Sequence, residues 1–345
     1  MFSVNCVLLF LFTVLLSSFA SSVPTSVQFV SIGDWGGASL GGYHLKNVQQ
    51  TALSISHIDS AFVINTGDSF YYCGIQNTSD PQINEDYMQV FHRNQTDFNS
   101  NLLWYSVLGN HDYGFSPEAQ LELNSVIPEW IMDARYYWRR IEVSEEPGAV
   151  INLIALDTSP CVNDYRENDP VKWDPCGKEF PTCAPQPGDC RFHANILEQE
   201  CLPQVEWFKT VLDEIPSSEW IIVVGHHRAD ELEFPARQFP FQPLLDRPEI
   251  DLYINGHVHS LQHYSINDNP KYITSGAASM VIDRIFNSIP IESESRSKVE
   301  RVWSKLSTGY TLHTLTNDGE LITEFRDSRT NDVLHSFNVT KYKNK

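Results

Sequence analysis

Five short clusters in this chain hold residue types that do chemistry: Asp34, Asp68 with Tyr71, Asn110 with His111, His226, and His257 with His259. Carboxylates, imidazoles, an amide oxygen and a phenolate are metal ligands, and together they suffice for two ions that share one bridging carboxylate. Asp68 and Tyr71 lie close enough within one turn to reach the same ion. His257 and His259 alternate with Val258, so in an extended segment both rings point the same way and each can meet one of two neighbouring ions. Taken singly, these residues have plainer readings. Asp, Asn and Gly are ordinary turn formers, and Tyr71 between Phe70 and Tyr72 suits packing. The joint pattern is what counts: every cluster directly follows an apolar run.

Those runs are the elements that must position the clusters. Residues 27–32 form a short strand that delivers Gly33-Asp34-Trp35-Gly36-Gly37. Leu45, Val48, Ala52, Leu53 and Ile55 then recur at helical spacing. Residues 61–65 precede Gly67-Asp68-Ser69-Phe70-Tyr71, residues 87–101 read as helical or irregular, and residues 102–108 precede Gly109-Asn110-His111-Asp112. Further strands over 150–156, 220–224 and 250–254 end at Asp157, at Gly225-His226-His227-Arg228, and at Asn255-Gly256-His257-Val258-His259. An amphipathic helix is expected around Val205, Phe208, Val211, Leu212 and Ile215, a strand over 272–274, and a helix-like segment over 298–306. Asn317-Asp318-Gly319 between two alternating runs, 310–315 and 321–325, signals a hairpin. Buried strands that end in functional turns are the pattern of an open α/β sheet.

At 345 residues the chain fits one large α/β domain. Residues 7–16 are apolar and Ser18-Phe19-Ala20 follows, so 1–20 reads as a secretory signal peptide, leaving 21–345 as the domain. Removing it takes Cys6 away and leaves Cys73, Cys161, Cys176, Cys183, Cys190 and Cys201, an even set that argues for disulfides without choosing the pairing. Five of these lie in a Cys-rich insert at 159–203, so a bridge from Cys73 to that segment is expected. Their spacings lack the CxxC pairs of a zinc site. Asn77, Asn94 and Asn338 head glycosylation sequons. A formal net charge of −20 argues against nucleic-acid binding and against anionic membranes. An acidic protein that handles an anionic substrate needs local positive charge, which bound metal ions supply.

The blocks GDWGG (33–37), GDSFY (67–71), GNHD (109–112), VVGH (223–226) and GHVH (256–259) resemble the metal-binding blocks of the metallophosphoesterase, or calcineurin-like, superfamily. The tyrosine in the second block makes the chain similar to the purple acid phosphatases of the tartrate-resistant type. The resemblance implies an α/β fold, a four-layer α/β/β/α sandwich with two mixed β-sheets, in which C-terminal strands at 307–340 complete the second sheet. It implies Fe(III) on Asp34, Asp68, Tyr71 and His259, with Asp68 bridging to a divalent iron, zinc or manganese ion on Asn110, His226 and His257. A phenolate suits Fe(III) and would colour the protein, and a trivalent ion acidifies bound water so that hydroxide survives at acid pH. Setting about −4 from the ligands and a bridging hydroxide against +5 from the metals leaves roughly +1 to hold a phosphate dianion. His111 matches the family's proton donor to the leaving group.

Several departures stand out. Ser69 and Val258 replace the common Asn and Asp, at positions that supply no ligand. The tyrosine that usually follows the metal-binding histidine is His227 here, and residues 229–241 lack the family's second substrate-contacting histidine. Three alternatives follow: His227 takes that role, Arg228 grips the phosphate, or His111 works alone. The Cys-rich insert is unlike the mammalian members. The expected protein is a monomeric acid phosphatase, secreted or sent to an acidic vesicle, that hydrolyses phosphate monoesters of small molecules or phosphoproteins by attack of metal-bound hydroxide. The alternatives are a phosphodiesterase or nucleotide hydrolase on the same scaffold, and a secreted binding protein that has lost catalysis.

Overall fold

The computed structural model describes residues 26–93, 102–143, 150–167, 172–177, 183, 189–235, 238–282 and 298–341. The signal-peptide reading of 1–20 and the sequon at Asn94 fall outside these residues, whereas Asn77 and Asn338 are exposed. In chain order the strands are β1 (Ser26–Ile32), β2 (Ser60–Asn65), β3 (Leu103–Ser106), β4 (Trp130–Ile131), β5 (Tyr137–Glu142), β6 (Val150–Ala155), β7 (Trp220–Val224), β8 (Leu252–Asn255), β9 (Leu261–Ile266), β10 (Asn269–Ser275), β11 (Val299–Lys305), β12 (Gly309–Thr316), β13 (Glu320–Asp327) and β14 (Val333–Thr340). They form two mixed sheets of order β14-β13-β12-β1-β2-β3-β4 and β11-β9-β10-β8-β7-β6-β5.

The pairing explains why the apolar runs were readable. β1 to β4 run parallel, as do β6, β7, β8 and β10. Parallel strands are covered on both faces and therefore read as continuous apolar runs. Successive residues alternate between two cores. Leu153, Ile222, Val224, Leu252 and Ile254 join one large core that also takes in Phe29, Val30 and Ile64 of the first sheet. Ile154, Ile221, Val223 and Tyr253 face the other way, onto Val205, Phe208, Val211 and Leu212 of the helix Leu202–Glu214. The helix Gly42–Ser56 presents Val48, Ala52 and Ile55 to the core of the first sheet.

Two expectations need correction. Residues 298–306 are the strand β11 and not a helix, because pairing with β9 and the packing of Trp303 on Phe325 and His335 override local preference. The C-terminal strands extend the sheet of β1, through the β1–β12 pair, and do not complete the second sheet. The hairpin at Asn317-Asp318-Gly319 forms between β12 and β13, with Gly319 at φ 85°.

The cysteines pair as Cys73–Cys183, Cys161–Cys201 and Cys176–Cys190. The first ties the turn after β2 to the insert, as expected, and the insert also carries the short helices Asn163–Arg166 and Phe192–Leu197. Among the described residues no helix is long and apolar enough to cross a membrane.

One buried side chain of β12 sets a pH limit on stability. His313 stacks on Phe29 with ring centroids 4.7 Å apart and lies 3.0–3.2 Å from the hydroxyls of Ser31, Thr311 and Thr323, all neutral groups. Burial pushes its pKa down to about 3. Its folded pKa thus lies below the unfolded value, so the unfolded chain gains a proton first and stability falls as pH drops below about 6.5. By pH 5 this one residue costs about 2 kcal/mol. Thermal melts at pH 7 and pH 5 should show a smaller drop in Tm for His313→Gln than for the parent protein; equal drops would refute this.

Candidate metal centre

All five clusters sit at the C-terminal ends of parallel strands: Asp34 after β1, Asp68 and Tyr71 after β2, Asn110 and His111 after β3, His226 after β7, and His257 and His259 after β8. The crevice there is where open α/β sheets place their ligands. Three of these residues, Asp34, Asp68 and His257, have φ of 53°, 52° and 65°, a region non-glycine residues seldom occupy. Such strain persists only where the surroundings enforce it, and it concentrates at functional sites. Packing enforces it here: a side chain at Gly109 would collide with the Asp68 carboxylate, and one at Gly256 with that of Asp34.

The donor atoms fall into two groups. On one side Tyr71 Oη lies 3.3 Å from Asp34 Oδ1, 3.3 Å from Asp68 Oδ2 and 3.1 Å from His259 Nε2. On the other, Asn110 Oδ1 lies 3.0 Å from both His226 Nε2 and His257 Nδ1. Asp68 belongs to both, because its Oδ2 is also 3.3 Å from His226 Nε2. The outer oxygens are held by backbone: the N–H of His111 donates to Asp68 Oδ1 and that of His257 to Asp34 Oδ2, each at 2.9 Å. His226 Nδ1 donates to the Thr66 carbonyl at 2.8 Å, which turns Nε2 inward as a ligating histidine requires. His257 and His259 do reach the two groups separately, but through a turn at His257 and not through an extended segment.

Charge in the nest follows the same logic. Burial opposes ionisation of Asp68, yet His226 and His111 outweigh it and hold the carboxyl well below its usual range. Burial likewise opposes charge on His226, while Asp68 and Asp34 raise its pKa to about 9. Burial and the two carboxylates push the Tyr71 phenol well above its ordinary value. A bound cation inverts this last effect and favours phenolate. The donor set fits two cations: three oxygens and an imidazole on one side, an amide oxygen and two imidazoles on the other, one carboxylate oxygen between them.

His111 is half-buried at the edge of the nest. Its Nδ1 donates to the Tyr72 carbonyl at 2.6 Å, so Nε2 is the nitrogen left to meet a substrate. The structure treats His227 and Arg228 differently. Thr158 Oγ1 accepts the N–H groups of His226 and His227 at 3.1 Å, so its own hydrogen goes to His227 Nδ1 at 2.9 Å, and His227 Nε2 donates to Tyr165 Oη at 2.9 Å. Both ring nitrogens are engaged, and burial with the neighbouring His226 holds the ring's pKa well below normal. Arg228 directs Nε and Nη2 at the Asp230 carboxylate, both at 2.9 Å, and stacks over Tyr264 at 4.8 Å. The expectations that either residue grips phosphate therefore meet a ring and a guanidinium already committed elsewhere.

Asp112 closes the Gly109-Asn110-His111-Asp112 block but has no expected task of its own. It accepts the N–H groups of Ser69, Phe70 and Gly109 and so locks the turns after β2 and β3 together. Burial and Asp68 push its pKa up to about 7 against the pull of the Gly109 amide. Its place in the GNHD block was the available signal. Thr66, Thr158 and Tyr165 left none.

The calcineurin-like phosphoesterase family profile matches residues 28–261. Purple acid phosphatase 17 of Arabidopsis thaliana is 32% identical over 260 residues, covering 74% of this chain and 69% of its own length. Tartrate-resistant acid phosphatase type 5 of Oryctolagus cuniculus is 26% identical, covering 79% of each chain. Among solved structures, GAP50, the anchor in the inner membrane complex of Plasmodium, superposes with a TM-score of 0.64 at 21% identity, covering 93% of this chain and 90% of that one. That likeness speaks for the fold alone.

Proposed function

The chain belongs to the calcineurin-like phosphoesterase family and, within it, to the purple acid phosphatases, and on that premise we propose a secreted acid phosphatase that cleaves phosphate monoesters at a binuclear centre. Asp34, Asp68, Tyr71 and His259 would hold Fe(III), and Asp68, Asn110, His226 and His257 a divalent iron, zinc or manganese ion. The observation that carries this reading is Asp68 Oδ2, 3.3 Å from both Tyr71 Oη and His226 Nε2 and so facing both donor groups at once. Bound there, the metals supply positive charge for a phosphate dianion and an acidified water as nucleophile.

The chain's own residues do the rest. Backbone amides of His111 and His257 fix the two carboxylates, Thr66 fixes the His226 tautomer, and Asp112 keeps the turns in register. With Nδ1–H held on the Tyr72 carbonyl, His111 delivers a proton from Nε2 only as the imidazolium, which burial disfavours and acid pH restores. It works without a second histidine, since His227 and Arg228 are held by Thr158, Tyr165 and Asp230. The three disulfides suit an oxidising, secretory destination, outside the cell or in an acidic vesicle.

Metal-replete protein should hydrolyse p-nitrophenyl phosphate faster than bis(p-nitrophenyl) phosphate; the reverse order would make it a phosphodiesterase. Tyr71→Phe should bleach the visible absorption that a ferric phenolate gives. A colourless, fully active parent protein would sink the ferric assignment. The engagement of both His227 and Arg228 also favours a second reading, a binding protein that keeps the fold without catalysis, and absence of turnover in a metal-replete sample would put it ahead of the phosphatase.

A further inference from the structure

The group that leaves with the ester oxygen must sit beside His111, so whatever surrounds that ring selects it. Three aromatic rings surround it. Tyr71 meets His111 edge-on at 4.8 Å and 78°, Trp173 at 5.2 Å and 81°, and Tyr72 lies at 6.0 Å. Tyr71 is fully buried, whereas Tyr72, Trp173 and His111 are all partly open, so the nest opens on this aromatic side. Arg228 does not turn toward it, being bound to Asp230.

Trp173 is a supported ring. It packs on Tyr165 at 5.3 Å and edge-on against Phe192 at 4.9 Å, while Tyr165 is itself fixed by its hydrogen bond with His227. The two partly open rings are also joined through sulfur. Tyr72 precedes Cys73, which is bonded to Cys183, and Trp173 is close in sequence to Cys176, which is bonded to Cys190. Cys183 Sγ and Cys190 Sγ are 3.1 Å apart. The Cys-rich insert thus carries one wall of the opening and pins the other.

We infer that Tyr72 and Trp173 form a leaving-group subsite for phosphate monoesters of flat aromatic alcohols, with Trp173 the residue that sets the preference. The inference rests on the reading of His111 as the group that faces the leaving oxygen. In the reaction a water oxygen bonds to phosphorus and its proton goes to solvent. The bond from phosphorus to the aryl oxygen breaks, the electron pair leaves with that oxygen, and the proton from His111 Nε2 completes the phenol. A stacked or edge-on ring pair favours the aryl ester by about two- to tenfold over an alkyl ester.

The test uses metal-loaded full-length protein and compares kcat/KM for O-phosphotyrosine and glycerol 2-phosphate. Trp173→Ala should lower the aryl-to-alkyl ratio about fivefold, mainly through KM for the aryl ester, and Trp173→Phe should restore most of it. A parallel fall on both esters, or an unmoved ratio, would overturn the subsite. Calorimetric binding of phenylphosphonate against methylphosphonate separates this from the catalytic reading. Trp173-dependent preference for phenylphosphonate in a protein without turnover supports the subsite and removes the phosphatase reading; equal binding of the two overturns the subsite.

Discussion

Asp68→Asn is expected to leave less than about a thousandth of the parent turnover and to lower the metal content of the purified protein. The carboxylate has two oxygens with separate tasks. Oδ1 accepts the His111 N–H at 2.9 Å, and Oδ2 lies 3.3 Å from both Tyr71 Oη and His226 Nε2. Asparagine keeps an oxygen for the first task and replaces the second with an amide NH2, which cannot join two cations. The substitution is otherwise mild: Asn has the same shape against Gly109, and it tolerates the left-handed backbone at φ 52° as well as Asp does. Far-UV circular dichroism should therefore match the parent protein while elemental analysis and kcat do not. Retention of full metal content together with more than a tenth of the turnover would end the binuclear reading.

Asp68 also shows where sequence reasoning reaches and where it stops. Its position was legible because β2 is a parallel strand buried on both faces, so an apolar run followed by Gly67 marks the strand end without any tertiary information. The same holds for Asp34, Asn110, His226 and His257. The left-handed backbone at Asp34, Asp68 and His257 was not legible, nor was the close approach of Gly109 to Asp68 and of Gly256 to Asp34, since both belong to tertiary packing. Nor were Thr158 and Tyr165, which meet His227 across 69 and 62 residues of sequence. The histidine at 227 looked like a spare catalytic group because a side chain's type says nothing of what its nitrogens already hold. Trp173 sits in an aperiodic stretch and gave no signal at all. The strand β11 was missed because an edge strand takes its conformation from the pairing with β9, and no alternation in 298–306 announces it.

Acid conditions load the centre and the fold at once. A phosphatase that works at low pH needs a nucleophile that survives there, which the proposed trivalent ion would supply, and a fold that does too. His313 works against the second requirement, and three disulfides that restrict the unfolded chain work for it. The Cys73–Cys183 and Cys176–Cys190 bridges hold segments that also flank the opening, so stability in acid and the shape of the substrate wall depend on the same sulfur atoms.

His111→Gln should cut kcat on an alkyl ester by about 10²- to 10⁴-fold, the usual worth of a positioned general acid. The same substitution should cost markedly less on p-nitrophenyl phosphate, whose leaving group departs as a stable anion and needs little proton transfer. Metal content should not change, because His111 touches Asp68 through its backbone N–H and not through its ring. The split between esters is the informative readout. The His111 ring also packs on Tyr71 and Trp173, so a purely structural role would lower kcat on both esters alike. Proton donation predicts the opposite: the penalty grows with the basicity of the leaving oxygen, and a plot of log kcat against leaving-group pKa should be steeper for the variant than for the parent protein. Parallel plots would show that His111 builds the wall but moves no proton, and the search for the donor would then turn to groups beyond the nest.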